Sequence, residues 1–412
     1  FALQEALDAG RPVPASAAHL DRSLPWVPSL DITLAFRMDA LAAFMSLIVL
    51  GVGALVLAYC ARYFREHEAK DAVFGGQLLA FAGAMFGLVT TDDLMVLYTF
   101  WEVTSVLSFL LIGYSGHRIF ARRSAITALI VTTVGGLAML AGLIMLAHMA
   151  GSWRISGVLA AAPGLLADAG LRGLLEVAVG LVLIGALTKS AQAPFHFWLP
   201  GAMAAPTPVS AYLHAAAMVK AGVFLVARLA PAFHELATWQ VLVLGLGLWT
   251  LMLGGWRALR QTDVKLVLAY GTVSQLGFLM VANGLGVRDA ALAGLAMLLA
   301  HALFKAPLFM VVGIIDHEAG TRDLRELSGI GRRHPVLAAV AVLAAASMAG
   351  LPPLFGFVAK EAVLQSLTDH GAGHGGLLAW APLVLMAAGS VLTVAYTWRF
   401  LWGSFAAKRD EE

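Results

Sequence analysis

An all-α polytopic membrane protein is the fold class this sequence predicts, on three observations. Of its 412 residues, 60% are hydrophobic and only 13% are Asp, Glu, Lys or Arg, against about 25% charged and about 45–50% apolar in an ordinary soluble domain. The mean hydropathy is +0.83. The apolar residues also gather into runs that match the roughly 20 residues a helix needs to cross a bilayer. A chain of this size with so little charge cannot cover itself with a water-compatible surface. A secreted domain, a nucleic-acid-binding protein and nearly every soluble enzyme are thereby excluded, and a net charge of +2 offers no basic field to a polyanion.

Twelve apolar segments follow one another along the chain. They run near residues 38–60, 73–91, 94–115, 124–150, 173–193, 207–230, 238–256, 263–284, 289–315, 335–350, 354–369 and 377–405. The tenth and eleventh are short and flank Gly350-Leu351-Pro352-Pro353, so they read as two halves of one broken helix, leaving about 11 crossings. Residues 1–36 carry Pro12, Pro14, Pro25 and Pro28 among polar residues and are expected outside the bilayer as loop or short strands. Phe1 opens the sequence with no basic stretch ahead of an apolar run, so no signal peptide is expected. The start reads as a cut inside a longer chain, and the Lys408-Arg409-Asp410-Glu411-Glu412 end as a truncation point.

Lysine and arginine test the span count. Assigning alternate loops to opposite sides puts sixteen basic residues on one side, among them Arg62, Arg122, Lys265, Arg322 and Arg333, and seven on the other. The richer side is cytoplasmic by the positive-inside rule, which places residues 1–36 on the opposite side. Of the 27 basic residues, four then remain inside spans: Lys189, Lys220, Lys305 and Lys360. Glu102 joins them as a mid-span acid.

A charge at the bilayer centre costs about 2.5–3.5 kcal/mol on insertion scales, so these side chains are expected to face protein or water-filled cavities. Lysine can gain and lose a proton as its surroundings change, whereas arginine stays protonated. Lysine four times and arginine never points to proton carriers; structural ion pairs or snorkelling are the competing reading. Pro194 should break the fifth segment about one turn past Lys189, and the Pro352-Pro353 break precedes Lys360 by a similar distance. Two broken helices, each with a lysine, in different halves of a chain are the pattern of an inverted-repeat transporter. The expected plan is a leading helix and cytoplasmic loop at 37–72, five-helix repeats at 73–231 and 232–405, and a cytoplasmic tail at 406–412.

Histidine supplies a second kind of carrier. His301 and Lys305 are four apart and share a helix face, with Pro307 loosening the same stretch. His214 and Lys220 are six apart and would point about 120° away from each other on a regular helix. A hydrogen-bonded packing role competes for both histidines, and it is the expected role of His148, His196 and His234. Ser274 and Gln275 should bond across helices or hold water. Asp92-Asp93 suits the N-terminus of the third span; a cation site there is the weaker alternative. Cys60 is the only cysteine, so there is no intrachain disulfide, thiolate metal cluster or Cys-ligated iron–sulfur site. No zinc-protease helix motif or phosphate-binding glycine loop is present, and no cofactor is expected.

The stretch from Thr188 to Arg228, TKSAQAPFHFWLPGAMAAPTPVSAYLHAAAMVKAGVFLVAR, closely resembles the A-type subunits of multisubunit Mrp-type Na+/H+ antiporters, a family similar to the proton-pumping membrane subunits of respiratory complex I. WEVTS at 101–105, DVKLVLAYGTVSQLG at 263–277, HALFKA at 301–306 and GFVAKE at 356–361 fit the same family, and the likeness runs from about residue 38 to 405. The resemblance implies an antiporter-like bundle with two inverted five-helix repeats, from which this chain lacks two leading helices and everything after the thirteenth. It implies H+ and Na+ as transported ions, the other components of the antiporter complex and the lipid bilayer as partners, and the bacterial plasma membrane as location. No nucleic acid or small-molecule cofactor is implied. By the same resemblance Glu102 pairs with Lys189, Lys305 bridges the halves, Lys360 ends the path, and His214 and His301 line it. Lys220 favours the antiporter. A proton-pumping subunit of complex I or of a membrane-bound hydrogenase is the alternative, and a purely scaffolding role is a third reading.

Overall fold

The computed structural model describes residues 20–30, 32–64, 69–374 and 377–408. Residues 1–19 of the expected extramembrane segment, Arg65 in the first loop and Arg409–Glu412 at the end lie outside the described residues. Strands β1 (Leu20–Val27) and β2 (Ile32–Met38) form an antiparallel hairpin with Leu20 opposite Met38. It is tied to the helix ends beneath it, because the Ala35 carbonyl accepts from the Asp92 N–H at 2.8 Å and the Thr91 hydroxyl at 3.2 Å.

Helices α1 (Ala40–Tyr63), α2 (Ala69–Thr90), α3 (Leu94–Ile112) and α4 (Ile119–Ala150) follow. Asp39 caps α1, accepting from the Ala42 N–H at 2.9 Å. Asp93 caps α3 through the N–H groups of Met95 and Val96, the orphan donors of a helix start. A short helix, α5 (Ile155–Ala167), lies where the sequence pattern suggests only a connection. Its 13 residues are too few to span, and Asp92 holds its start through the Ser156 N–H and hydroxyl at 2.9 and 2.6 Å.

Helix α6 (Arg172–Lys189) ends at its lysine. Short helical turns from Phe195 to Ala204 lead to α7 (Thr207–Leu213), and α8 (Lys220–Phe233) follows. The apolar run 207–230 reads as one continuous helix in the sequence, and the structure corrects that expectation. Between His214 and Val219 the regular bonding fails: the N–H groups of Ala216 and Ala217 both return to the Tyr212 carbonyl, and that of Val219 reaches Leu213. Tertiary bonding overrides the helical preference of this alanine-rich stretch. The Ser190 hydroxyl, from the first break, donates to the freed Val219 carbonyl at 2.6 Å.

Helices α9 (Ala237–Leu259, with a π-helical stretch Gln240–Gly245), α10 (Val264–Gly284) and α11 (Arg288–Ala319) come next. Helix α12 (Pro335–Ala349) ends at Gly350, whose φ of +84° suits a glycine. Helices α13 (Phe355–His374) and α14 (Ala381–Phe405) complete the bundle. Among the described residues, eight helices are long and apolar enough to cross a membrane. The most apolar stretches of α10 and α11 are 89% and 72% buried against 28% for α14, so α10 and α11 form the centre and α14 lies at the edge. Small residues permit the tightest approaches: a Cβ on Gly254 or Gly277 would meet backbone atoms across the α9–α10 contact within 2.5 Å.

Candidate functional site

Among the described residues five lysines are buried in the bundle, and each donates its ammonium to a backbone carbonyl of another segment. Lys189 Nζ, at the end of α6, donates to the Trp101 carbonyl of α3 at 2.5 Å, the Thr104 hydroxyl at 2.7 Å and the Ser105 hydroxyl at 3.1 Å. It also lies 4.4 Å from the Trp101 ring centroid. Glu102 sits within electrostatic range, but no ion pair joins the two. Its carboxylate turns to α4, where the Thr133 hydroxyl donates at 3.3 Å, and its other oxygen is buried without a partner. The direct Glu102–Lys189 pairing implied by the family resemblance is therefore not made in this structure. Trp101, Thr104 and Ser105 form an i, i+3, i+4 face that takes the ammonium, while Glu102 faces another way on the same turn.

Lys220, the first residue of α8, donates to the Leu298 carbonyl of α11 at 3.0 Å. Lys305 of α11 donates to the Leu268 carbonyl of α10 at 3.1 Å, with the Tyr396 ring centroid 5.8 Å away. His301 lies within electrostatic range of both lysines and packs edge-on against Phe304. It faces the Ala215 backbone, yet neither ring nitrogen makes a hydrogen bond of normal geometry. The His214 ring, packed against Trp198, is likewise without a partner at either nitrogen. Two fully buried imidazoles, His214 with no protein partner and His301 with only a poorly aligned contact to the Ala215 backbone, are what a packing role does not explain, since buried polar groups are normally bonded to protein or water. Gln275 bonds across helices, donating to the Thr393 hydroxyl at 3.0 Å beside Tyr396, and Ser274 donates to the Leu251 carbonyl at 2.8 Å.

Lys360 of α13 donates to the carbonyls of Met348 and Ala349 at 3.3 and 3.2 Å. These belong to the last turn of α12, where carbonyls lack helical partners and the helix dipole favours a cation. The fifth lysine, Lys265, is one that sequence reasoning misses, because it counts there among the cytoplasmic loop residues. Lys265 is only 2% exposed and donates to the Ala205 carbonyl at 2.7 Å, just after the first break. Its position in the first turn of α10, beside Asp263 and a loop arginine, masks it; the available signal is its place inside the DVKLVLAYGTVSQLG stretch. Lys265 is within electrostatic range of His214. It also lines a cavity of about 590 Å³ with Tyr63, Tyr114, Asp316, His317 and Arg322. A second cavity of about 540 Å³ shares Arg118, Asp316 and Arg322.

Asp92 and Asp93, the weak cation-site candidates, are not brought to the lysines. Their carboxylates cap α5 and α3, and Asp93 also accepts from the Thr33 N–H at 3.3 Å. Among the described residues no cluster of three His, Cys, Asp or Glu side chains could hold a metal ion.

Comparisons with known proteins agree with this geometry. The family profile described as NADH:quinone oxidoreductase/Mrp antiporter, TM, matches residues 91–388, and that described as NADH-ubiquinone oxidoreductase (complex I), chain 5 N-terminus, matches residues 25–74. A probable K+/H+ antiporter subunit of the A/B type from Rhizobium meliloti is 46% identical over 96% of this chain and 39% of its own length. A Na+/H+ antiporter subunit of the A type from Alkalihalophilus pseudofirmus is 42% identical over 95% of this chain and 50% of its own. The chain thus spans about two-fifths to half the length of these relatives. A chain in the structure of the Mrp complex from a Dietzia species superposes with a TM-score of 0.87 at 41% identity, over 99% of this chain and 44% of that one. One in the archaeal membrane-bound sulfane sulfur reductase shares the fold, with a TM-score of 0.79 at 23% identity over 93% of this chain and 78% of that one. The long profile match, the identities and the shared bundle place this chain in the NADH:quinone oxidoreductase/Mrp antiporter transmembrane family.

Proposed function

We propose that this chain is a proton-translocating membrane subunit of a multisubunit monovalent cation/proton antiporter in a bacterial plasma membrane, working with the other components of that assembly. One observation carries the reading: among the described residues, five buried lysines all rest on neutral carbonyls, and none touches a carboxylate. A lysine locked in an ion pair would hold its proton; one held by neutral acceptors can release it when a neighbouring charge changes. Lys265 faces the cavity on the arginine-rich side and takes up the proton. His214 and His301, with water at their free nitrogens, connect Lys265 to Lys220 and Lys305, and Lys360 delivers the proton toward the opposite side. Glu102 biases Lys189, and charge arriving at Lys189 is felt along the rest of the chain of lysines.

In this reading the eight continuous spans are joined by three interrupted ones, α6 with its following turns, α7–α8 and α12–α13, to make eleven crossings in two inverted repeats. No resident cofactor takes part. Each proton that crosses carries about 2.3 kcal/mol per 100 mV of membrane potential, and that energy drives the cation, sodium in our reading, the other way within the assembly. The relatives' names, one for K+/H+ and one for Na+/H+, support a monovalent cation.

The test uses everted vesicles carrying the whole assembly, with no electron donor present. Sodium is added and proton release from the lumen is followed with a pH-sensitive dye, for wild type and Lys189→Ala. A sodium-dependent signal lost in the variant is the expected result. Proton movement that waits for an electron donor would instead assign the chain to a redox-driven pump.

A further inference from the structure

Helix α12 is sunk in the bundle from Ala341 onward and stands clear of it before. Ala341, Ala345 and Met348 are fully buried, whereas Val336 is 76% and Val340 43% exposed. Between this outer end, α1 and α11 lies a cavity of about 600 Å³, walled by Tyr59, Pro307, Met310, Ile314, Leu337 and Val340. The Tyr59 hydroxyl is turned into the protein, donating to the Met310 carbonyl at 3.2 Å. Beneath Arg333 and His334 the wall is therefore almost wholly apolar and suits a hydrocarbon chain.

Its mouth has the opposite character. Arg333 lines it, Arg332 adjoins it, and both are exposed. Other arginines on this side are engaged: Arg322 with Asp263, Arg325 with Asp323 and Arg399 with the Gln261 carbonyl. Among the described residues neither the Arg332 nor the Arg333 guanidinium has a hydrogen bond or an ion pair with the protein. The depth of the mouth is marked by α14. Trp398 and Trp402 are 64% and 59% exposed and stack with ring centroids 5.9 Å apart; tryptophan collects at the membrane–water interface. One turn past Trp402, the Ala406 carbonyl accepts from the Gly329 N–H at 3.1 Å, which ties the Ile330–Arg333 turn to that level. The guanidiniums stand at the height of the lipid headgroups, and the groove runs inward below them.

We propose that this groove binds an anionic phospholipid of the leaflet on the arginine-rich side, with its phosphate at Arg332 and Arg333 and an acyl chain along Pro307, Met310 and Val340. The guanidinium fork matches a phosphate, and clustered basic residues beside spans favour anionic headgroups. A zwitterionic lipid would bring a further cation to a mouth that already has two, and an apolar helix would leave both guanidiniums unanswered. The bound lipid would join α1, α11 and α12 two residues from Lys305, at Pro307.

The test places the complete assembly in nanodiscs with equal amounts of phosphatidylglycerol and phosphatidylcholine, one of them carrying a photoreactive diazirine on its acyl chain. Mass spectrometry then locates the cross-links. Phosphatidylglycerol is expected to label residues 307–314 and 336–340 at least about tenfold more than phosphatidylcholine. Arg332→Gln with Arg333→Gln should bring that ratio below about twofold, since each basic residue at an anionic surface is worth about fivefold. Arg122→Gln with Arg123→Gln removes the same charge elsewhere on this side and should leave the ratio unchanged. Val340→Trp fills the groove and should abolish labelling by both lipids with the arginines intact. Equal labelling by the two lipids overturns the proposal, as does a ratio that ignores Arg332 and Arg333 or falls as far with Arg122 and Arg123. Labelling that survives Val340→Trp overturns it too, because the signal then comes from passing bilayer lipid. Absence of labelling by either lipid would mean that a protein segment of the assembly covers the groove, and the proposal fails. None of these readouts depends on ion transport, so failure of the antiporter reading would leave the test intact.

Discussion

Lys189 donates to the carbonyl of Trp101, the residue directly before Glu102, while the Glu102 carboxylate turns away to Thr133 on the neighbouring helix. Opposite charges on adjacent segments thus stand within range of each other without touching. An exposed pair in that state would be unremarked, since water satisfies both groups. At a buried interface it means that other groups substitute for the missing partner, and here a carbonyl, two hydroxyls and an indole do so for the lysine. The carboxylate has only one hydroxyl.

The Thr133 bond gives the first prediction. Thr133→Val removes the one donor to Glu102 and leaves the shape of the site intact. A net contribution of about 1 kcal/mol for such a bond converts to about fivefold, so cation-driven proton movement should fall by about that factor. Made on top of Glu102→Gln, the same substitution should change almost nothing. A full fivefold loss in that background would mean that Thr133 acts on packing and not on Glu102.

Close helix packing around Lys189 gives the second. A Cβ on Gly222 of α8 would collide with the Ala186 carbonyl and the Ser190 hydroxyl, which flank Lys189 on α6 and in the break after it. Gly222→Ala should therefore push α8 from α6 and destabilise the protein by about 1–3 kcal/mol, the usual range for overpacking. Gly83 of α2 has nothing within 4 Å of such a Cβ. Gly83→Ala should be neutral or stabilising by about 0.5–1 kcal/mol through the helix propensity gained. Thermal unfolding of the detergent-solubilised assembly separates the two.

Asp39 and Arg228 clasp the start of α1 to α8 by a paired contact, with side chains 24% and 16% exposed. Burial pushes the Asp39 carboxyl up, but the hydrogen bonds and charge of Arg228 outweigh it and hold the group below its ordinary value. A carboxylate lowered on folding contributes stability that is fully present above the unfolded value of about 3.9 and is lost as pH falls through the folded value. Asp39→Asn keeps a good helix cap and removes the charge pair, at an expected cost of about 1–3 kcal/mol for a half-buried pair. The gap in unfolding temperature between wild type and variant should stay flat from about pH 8 to 5 and close only below about pH 4. A gap that shrinks between about pH 8 and 6 would point to a different group.

Charge inside apolar runs made most of the candidate site legible. Lys189, Lys220, Lys305, Lys360 and Glu102 stand out because each interrupts a stretch that is otherwise bilayer-compatible, and prolines mark the break after Lys189 and the one before Lys360. What escaped lacks such contrast. The turn at His214–Val219 passes through Ala215-Ala216-Ala217, which carries no proline or glycine, and only the Ser190 bond to Val219 reveals why the helix stops there. Helix α5 has 13 residues and contains Pro163, so it reads as a connection until Asp92 is seen to cap it. The orientation of Thr104 and Ser105 toward Lys189 depends on the rotation of α3 against α6, which no local pattern encodes.

Lys265 is the costliest of those omissions, and it gives the last prediction. In the sequence it is one more cation beside Arg257 and Arg260 on the cytoplasmic side; in the fold its ammonium donates to the Ala205 carbonyl at the wall of a cavity also lined by Tyr63, Asp316 and His317. If protons reach the buried lysines through that cavity, Lys265→Gln should cut proton movement at least about tenfold with the other four lysines untouched. Lys265→Arg should not restore it, because a guanidinium keeps its proton. Arg322, half-exposed and paired with Asp263 at 3.1 Å, shapes the mouth of the cavity without carrying a proton, so Arg322→Gln should cost no more than about threefold, in line with the small worth of exposed ion pairs. Full activity in Lys265→Arg would reduce Lys265 to a fixed charge that holds the turn after Ala205. Proton uptake would then have to bypass the one buried lysine that lines this cavity among the described residues.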